Sequence, residues 1–407
     1  LTIKLIGKEI MMMYDFDRIV DRKATNDMKW HAEAVSSYLG VEIPEDMIPM
    51  WLADTEFACA PVIVEALQKR AEKEIYGYCA PMESFYNAVC YWQRIRFDWE
   101  VKAEWITYIP TVVAGINVAI RTFSKENDGI IIQQPVYDPF ASIIKNTGRR
   151  VVNNGLISKK GYYKMNFEEL EVLAASPENK MMILCSPHNP TGRVWTKEEL
   201  IRVASICLKN DVLLVTDEIH GDIIYEGYKQ HPLLSLDESF ENHFIHFTSP
   251  GKTFNVAGLK AAVSIIPNKE IREAFVQTQI AMSLDVKNTF GIESVIAAYS
   301  PEGVKWARQE VKYMEKNVEY IETYIRDNMP GITMTHPEGT FLCWLDLSGL
   351  CLGDEEIFKR IILDAAVIGV PGPWFGPGGE EHLRLNIGCP QSILTIALER
   401  MREVLYR

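Results

Sequence analysis

Short apolar runs alternate with amphipathic stretches through the middle of the chain. Strands that are apolar on both faces are typical of sheets buried on both sides, and helical stretches between them are typical of βα units. The pattern therefore predicts an α/β fold with a mostly parallel central sheet and helices on both faces. The five strand-like runs are GIIIQQP (129–135), MMILCSP (181–187), VLLVTDE (212–218), HFIHFTSP (243–250) and AAVSIIP (261–267).

Two other stretches have strong helical signals. Residues 196–210 begin with a threonine N-cap, have acids in the first turn and repeat Leu200, Val203 and Cys207 at helical spacing. Residues 304–331 form a long charged stretch that is closed by proline and glycine. The strand-like segments GTFLCWLDL and EHLRLNIG follow it, which indicates a second, smaller α+β layer.

The length of the chain favours two domains. A chain of 407 residues exceeds what one ordinary core holds, and larger chains divide. The segment before about residue 60 contains no complete βα unit. We therefore expect a large domain over residues 61–300 and a smaller domain built from residues 14–60 and 301–407.

Composition and charge exclude several classes of partner. The formal net charge is −13 with no dense basic run, which argues against nucleic-acid binding. The longest nearly apolar stretch, residues 106–120, is too short for a membrane span and is broken by Pro110 and Asn117. The first ten residues, LTIKLIGKEI, have no signal-peptide pattern, and translation is expected to begin at the methionines 11–13. We expect a soluble, cytoplasmic protein without a membrane partner.

No metal site is expected. The eight cysteines are scattered without a C-x-x-C pair, which indicates reduced thiols. His243 and His246 are three residues apart on a predicted strand, so they point to opposite faces.

Four polar residues follow successive predicted strands. Tyr137, Asn189, Asp217 and Lys252 stand at or just after strand ends, where ligands bind in open α/β sheets. Each alone has an ordinary explanation: a half-buried tyrosine, an Asn-Pro turn, a helix cap or a surface lysine. Together, a lysine, an acid, an aromatic ring and an amide donor are the set that a pyridine aldehyde cofactor needs.

Three motifs now identify a family. SPHNPTG, TDEIH and SPGKTFNVAGLK, in this order, resemble the fold-type I pyridoxal-phosphate enzymes of the aminotransferase class I/II family. IPMWLADTEF, YGYCAP, PVYDPF and HLRLNIGCP are similar to its MalY/PatB-type cystathionine β-lyase, or carbon–sulfur lyase, branch. The resemblance implies an aspartate aminotransferase-like fold, a pyridoxal 5′-phosphate cofactor and a homodimer whose sites are shared across the interface.

The resemblance also assigns cofactor contacts. Lys252 matches the lysine that bonds covalently to the cofactor aldehyde, and Asp217 matches the acid at the pyridine nitrogen. Asn189 is expected to donate to the ring oxygen and Tyr137 to stack on the ring face. His220 stands where aminotransferases usually have a tyrosine near that oxygen. It either contacts the cofactor or serves as a cap or packing histidine.

The phosphate is expected at a helix N-terminus. The resemblance places it at the main-chain N–H groups of Val112 and Val113, in a helix running to about Phe123. Ser249 matches a phosphate-binding hydroxyl. Lys260 stands where relatives usually have an arginine, and Gly251 stands where they often have serine or alanine.

Substrate contacts are expected from three further residues. Arg384 matches the arginine that grips the substrate carboxylate, and the backbone at Ala53 approaches the same carboxylate. Tyr78 matches the tyrosine that reaches into the partner's site and assists near Lys252. The alternative for Tyr78 is simple interface packing.

The implied reaction is β-elimination from sulfur-containing L-amino acids such as cystathionine or cysteine S-conjugates. Lys252 removes the Cα proton, a thiolate leaves from Cβ, and the released aminoacrylate decays to pyruvate and ammonia. Transamination shares the same first steps and stays open. A cofactor-bound regulatory protein is the lower-ranked alternative, and an inactive scaffold is disfavoured because Lys252, Asp217 and Arg384 are all present.

Overall fold

The computed structural model describes residues 2–6 and 9–407, with side chains described from Tyr14 onward. The sequence predicts no signal peptide in residues 1–10, and this segment lies partly outside the described residues. The strands are β1 (Thr2–Ile6), β2 (Glu9–Met13), β3 (Ile48–Pro49), β4 (Ile106–Ile109), β5 (Gly129–Ile132), β6 (Arg150–Asn153), β7 (Ile157–Lys159), β8 (Tyr162–Lys164), β9 (Asn179–Cys185), β10 (Leu213–Asp217), β11 (Phe244–Thr248), β12 (Ala262–Ile265), β13 (Thr333–Thr335), β14 (Leu342–Asp346), β15 (Val367–Ile368), β16 (Val370–Pro371) and β17 (His382–Asn386).

Twelve α-helices are described, together with short 3₁₀ turns and a π-helical segment, Lys359–Asp364. None of the helices in the described ranges is long and apolar enough to cross a membrane. The helices are α1 (Ala32–Leu39), α2 (Pro61–Ala71), α3 (Glu83–Phe97), α4 (Val112–Phe123), α5 (Pro139–Asn146), α6 (Phe167–Ala174), α7 (Lys197–Lys209), α8 (Lys269–Ala281), α9 (Thr289–Ala298), α10 (Pro301–Asn328), α11 (Gly353–Phe358) and α12 (Gln391–Leu405).

The central layer is a seven-stranded sheet in the order β4-β12-β11-β10-β9-β5-β6. All five strands predicted from apolar runs are confirmed. The sheet is mostly parallel, and only β12 runs against its neighbours β11 and β4. The β11–β12 connection contains no crossover helix, so the chain reverses direction there. In residues 106–120, one apolar run contains both β4 and the start of α4, which hides the strand from the sequence pattern.

Both faces of this sheet are covered. Ile130, Val215 and Ile245 point into a core shared with α4 and α5, whereas their neighbours Ile131 and Leu214 point into the opposite core. This two-sided burial explains why the strands are apolar throughout. The predicted helix after residue 196 is confirmed as α7, and Thr196 and Glu199 form a reciprocal capping box at its start.

A second, antiparallel sheet has the order β13-β14-β17-β16 and contacts the long helix α10, whose predicted existence is confirmed. Part of the early chain joins this region, because β3 pairs with β15 through Ile48 and Val367. The Asn386 backbone amide in β17 also donates to the Met50 carbonyl at 2.8 Å. The exact domain boundaries stay a prediction.

A buried cation, Arg193, pairs with two acids and joins the two sheets. The Arg193 Nε lies 2.8 Å from Glu338 Oε2, and its Nη2 lies 3.0 Å from Glu199 Oε2. The Val194 amide donates to the same Glu338 oxygen at 2.7 Å. Arg193 follows β9, and Glu338 precedes β14, so this contact fixes the PHNPTG segment against the smaller sheet.

Removing this buried cation is expected to destabilise the protein strongly. Arg193→Met leaves Glu338 buried without its partner, which costs about 3 kcal/mol. Arg150→Met removes an exposed pair with Glu178 and is expected to cost less than about 1 kcal/mol. Urea unfolding of the two variants measures both values. If both variants lost the same small amount of unfolding free energy, Arg193 would not hold the two sheets together.

Candidate active site

A cavity of about 360 Å³ lies at the carboxyl ends of the central strands. Its position follows from the topology, because β9, β10 and β11 all end on this edge and α4 begins beside it. Of the residues predicted for the site, Arg384 and Tyr78 are not part of its lining. The predicted residues that line it are Ala53, Val112, Val113, Tyr137, Asn189, Asp217, His220, Ser249, Lys252 and Lys260.

Lys252 follows β11 and extends into the cavity wall. Its Nζ donates a hydrogen bond to the Ala53 carbonyl. Burial lowers the pKa of Lys252 to about 8, although Asp54 and Asp217 oppose this shift. The neutral amine, which is the nucleophilic form, is therefore accessible near physiological pH.

Asp217 is the last residue of β10 and is buried. Its Oδ1 accepts from the Ile219 amide at 3.1 Å. Burial raises the pKa of Asp217 to about 6, and the nearby Lys252 charge opposes the shift. The hydrogen bond and the nearby charges do not offset the burial of this carboxylate, so it is well placed to stabilise a cationic ring nitrogen.

Arg384 in β17 is buried and has no carboxylate partner in the described part of the chain. Its Nη1 donates to Asn189 Oδ1 at 3.2 Å and its Nη2 donates to the Trp51 carbonyl. Its Nε has no hydrogen-bond partner among the residues that the structure describes. Burial lowers the pKa of Arg384 to about 10. A buried guanidinium with a free donor favours an anionic ligand.

Tyr137 and Asn189 are held together beside Asp217. The Tyr137 amide donates to the Asn189 carbonyl at 3.1 Å. The Tyr137 ring packs edge-on against Phe140, at 5.6 Å between centroids. Burial raises the pKa of Tyr137 to about 12, so the hydroxyl stays protonated.

The predicted helix beginning at Val112 is confirmed as α4. Thr111 is its N-cap, and its side chain accepts from the Ala114 amide at 3.1 Å. This cap leaves the amides of Val112 and Val113, the first two of the helix, without intrahelical acceptors at the cavity wall. Such an N-terminus attracts anions.

Ser249 and Lys260 both line the cavity. The Ser249 hydroxyl donates to the Ala261 carbonyl at 2.7 Å and accepts from the Gly251 amide at 3.0 Å. A side chain at Gly251 would begin 3.1 Å from Ser249 Oγ, which makes this a crowded turn. Lys260 is exposed and adopts a left-handed backbone with φ of 50°.

His220 is buried, lines the cavity and packs edge-on against Phe341 at 5.4 Å. Burial and the charges of Lys252 and Arg384 hold the pKa of His220 well below its usual value, so it is neutral. Within the described ranges, its Nδ1 has no hydrogen-bond partner. Both predicted roles, ligand contact and packing, therefore stay open.

Tyr78 does not line the cavity of its own chain. Its side chain is 101% exposed and precedes α3. The two histidines considered for metal binding have separate partners: His243 Nε2 lies 2.7 Å from Asp211, and His246 Nδ1 lies 3.2 Å from Glu218. Within the described residues, no three His, Cys, Asp or Glu side chains group as metal ligands.

Three charged residues beside the site, Asp54, Lys29 and Arg22, and the cavity-lining Cys185 are not predicted from the sequence. Asp54 follows Ala53 and bonds to Lys29 and Arg22, in a cluster directly behind the cavity wall. Asp54 belongs to the motif IPMWLADTEF, and this motif could have indicated that Asp54 lies near the site. Lys29 and Arg22 lie in an irregular polar segment and carry no signal of burial.

The comparison with known proteins agrees with this geometry. A model of the aminotransferase class I and II family matches residues 50–401. The chain belongs to this family. It is 37% identical to the cystathionine β-lyase PatB of Bacillus subtilis (strain 168) over 391 residues, which are 96% of this chain and 100% of the relative.

Two solved structures of the family confirm the predicted fold. One is a PLP-bound putative aminotransferase from Clostridium difficile 630, with a TM-score of 0.93 and 37% identity over 97% of this chain and 100% of that one. The other is cystalysin from Treponema denticola, which contains pyridoxal 5′-phosphate, with a TM-score of 0.93 and 36% identity over 97% and 99%. The predicted MalY/PatB-type branch is confirmed as well.

A change at Thr111, the N-cap of α4, tests whether the N-terminus of this helix binds phosphate as expected. Thr111→Ala is expected to cost about 1 kcal/mol of stability and to weaken binding of inorganic phosphate, because the first amides lose their fixed direction. Thr111→Ser keeps the hydroxyl and is the matched control. Calorimetric titration with phosphate measures the effect, and unchanged affinity in Thr111→Ala would contradict it.

Proposed function

We propose that this protein is a pyridoxal 5′-phosphate-dependent carbon–sulfur lyase that acts by β-elimination on L-amino acids with sulfur at Cβ. The products are a thiol, pyruvate and ammonia. The observation that carries the proposal is that Lys252 and Asp217 line one cavity and that Arg384 donates a hydrogen bond to Asn189, which lines the same cavity. The 37% identity to a cystathionine β-lyase over 96% of the chain supports the choice of reaction.

The residues of the cavity fit the cofactor. Lys252 offers a buried amine of lowered pKa to an aldehyde, and Asp217 offers a buried carboxylate without an ion pair among the described residues to a ring nitrogen. Tyr137 offers a ring face. The cofactor supplies an electron sink for the bond changes at Cα.

The phosphate end fits equally well. The cavity is lined by the residues that carry these groups: the free amides of Val112 and Val113, the hydroxyl of Ser249 and the ammonium of Lys260. Lys260 supplies charge but not the two-pronged contact of an arginine. Asn189 uses its Oδ1 to accept from Arg384, so its NH₂ group is the donor for a ring oxygen.

Arg384 is the proposed grip for the substrate carboxylate. Because Arg384 has an unused Nε donor and no anionic partner among the described residues, a bound carboxylate completes the buried pair. The backbone at Ala53 lies beside Lys252 and belongs to the same segment as Trp51, whose carbonyl accepts from Arg384. Carboxylate binding therefore places Cα next to the Lys252 amine.

Lys252 is the proposed base. Its Nζ would take the Cα proton of a substrate bound beside it. Because burial lowers the pKa of this amine to about 8, it is neutral often enough to act at physiological pH. Thiolates leave well, so the departing sulfur needs little acid assistance.

Transamination is the second candidate, since it uses the same residues as far as removal of the Cα proton. The solved structure from Clostridium difficile 630, which is similar at 37% identity, is described as a putative aminotransferase. The two reactions differ in where the proton is returned.

Product analysis separates these candidates. With L-cystathionine and no keto acid, the protein is expected to release pyruvate, ammonia and homocysteine in equal amounts, because elimination needs no amino acceptor. Enzymatic pyruvate detection and a thiol assay measure this. A parallel reaction with a keto-acid acceptor is the control. Product formation that requires the acceptor would overturn the lyase in favour of transamination.

We also infer a homodimer in which Tyr78 enters the site of the partner subunit. In one chain Tyr78 is wholly exposed and stands near the exposed Ile75 and Tyr76. Exposed large apolar side chains close together are typical of interfaces. Tyr76 packs on Phe290, and Thr289 donates to the Gly77 carbonyl at 3.2 Å, so the segment is anchored while Tyr78 projects outward.

Hybrid dimers test this arrangement. Lys252→Ala and Tyr78→Ala are each expected to lose most activity, because each lacks one essential group in both sites. Mixing the two after subunit exchange is expected to restore about a quarter of wild-type activity, since half of the dimers are hybrids with one intact site. Each variant alone, taken through the same subunit-exchange procedure, is the control. No recovery, despite exchange demonstrated by mass spectrometry, would contradict the shared site.

A further inference from the structure

A buried lysine without a role in the proposed reaction lies behind the cavity wall. Lys29 is 1% exposed. Its Nζ lies 3.1 Å from Asp54 Oδ1 and 2.6 Å from Glu56 Oε1, and it donates to the Asp54 carbonyl at 2.8 Å. An ammonium is removed from water only where such partners replace its hydration. The environment of Lys29 is therefore a built ion cluster.

Arg22 adds a second cation to this cluster. Its Nη2 lies 2.9 Å from Asp54 Oδ2 and its Nη1 lies 3.0 Å from Glu56 Oε1. Burial raises the pKa of Asp54, but Lys29 and Arg22 outweigh burial and hold that pKa below its usual value. Asp54 is therefore an ionised carboxylate whose charge is divided between two cations.

The cluster is joined to the cavity through the backbone of residues 53 and 54. The Asp54 carbonyl accepts from Lys29 at 2.8 Å and from Asn386 at 2.6 Å. The preceding carbonyl, that of Ala53, accepts from Lys252 Nζ. A change in how Lys29 holds Asp54 therefore alters the acceptor on which the Lys252 amine rests.

The cluster also acts on Lys252 through charge. Burial lowers the pKa of this amine, and Asp54 is the foremost group that raises it. Lys29 acts in the opposite direction. Among the described residues, the charged groups that act on Lys252 are Asp54, Asp217, Arg384 and Lys29. The titratable side chains that share its cavity also include the neutral His220, Tyr137, Cys185 and Lys260.

We propose that Lys29 and Asp54 are a positioning pair, which holds the Ala53 carbonyl against the Lys252 amine and balances the charge beside that amine. The pair touches no reacting atom. It acts by fixing one acceptor and by setting how readily Lys252 gains and loses its proton. The inference rests on the proposed function for the importance of that proton, although the pair itself is a property of the chain.

Labelling of Lys252 tests the pair without turnover. The full-length, cofactor-free chain is treated with trace acetic anhydride across a pH series, and acetylation of the Lys252 peptide is quantified by mass spectrometry against the exposed Lys180. Asp54→Asn removes one negative charge beside the amine. Its labelling midpoint is expected to fall by about 1 pH unit.

A double variant tests the partnership. Lys29→Met combined with Asp54→Asn removes both charges and leaves Glu56 paired with Arg22, so the chain is expected to fold. Its labelling midpoint is expected to return to within about 0.5 unit of the wild type, because opposite fields disappear together. Glu56→Gln, which alters a buried acid bonded to the same cations, is the matched control and is expected to shift the midpoint less than Asp54→Asn.

Three results would overturn the proposal. The labelling midpoint of Asp54→Asn could equal that of the wild type, or the midpoint of the double variant could equal that of Asp54→Asn. The third is a shift of the midpoint in Glu56→Gln as large as in Asp54→Asn. A purely structural role lowers unfolding temperature without moving the midpoint. In the chain loaded with pyridoxal 5′-phosphate, the visible absorbance of Asp54→Asn is expected to titrate at lower pH. If the lyase assay fails but the labelling midpoint of Lys252 shifts as expected, the proposed reaction is wrong and the proposal of a positioning pair stands.

Discussion

The site depends on one constraint: the Lys252 amine must be buried and still be able to lose its proton. Burial favours the neutral form and is the largest of the effects that together lower the pKa of Lys252 to about 8. Asp54 and Asp217 oppose this effect, whereas Arg384 reinforces it. In an apolar pocket the amine would remain neutral, and on the surface it would remain charged. The surrounding ions place it between these limits.

The sheet topology meets this constraint with few elements. Lys252 lies in the connection between β11 and the antiparallel β12, so the chain turns back across the sheet edge without a crossover helix. Asn189 follows β9, and Asp217 ends β10, on the same edge. The N-terminus of α4 provides free amides there. The cavity therefore combines a cation, an anion and an anion-binding helix end within one crevice.

The sequence predicts the part of this arrangement that follows from local pattern. Apolar runs mark the strands, so the strand pattern alone is enough to place residues at strand ends, such as Asp217 and Lys252, at one sheet edge. The direction of β12 is set by its connection and leaves no trace in its apolar composition. Lys29 has no helical or strand period around it, and its partner Asp54 is distant in sequence. Its burial arises only from tertiary contacts.

Lys29 and Lys252 show how the same side chain serves two purposes. Lys29 bonds to two carboxylates and a carbonyl, so its ammonium is fixed by charge as well as by hydrogen bonds. Lys252 bonds to the neutral Ala53 carbonyl, which accepts a hydrogen bond without adding a full negative charge. An acid in direct contact would hold the proton of Lys252. Asp54, one residue beyond the bonding carbonyl, supplies a field without that contact, and this separation keeps the proton exchangeable.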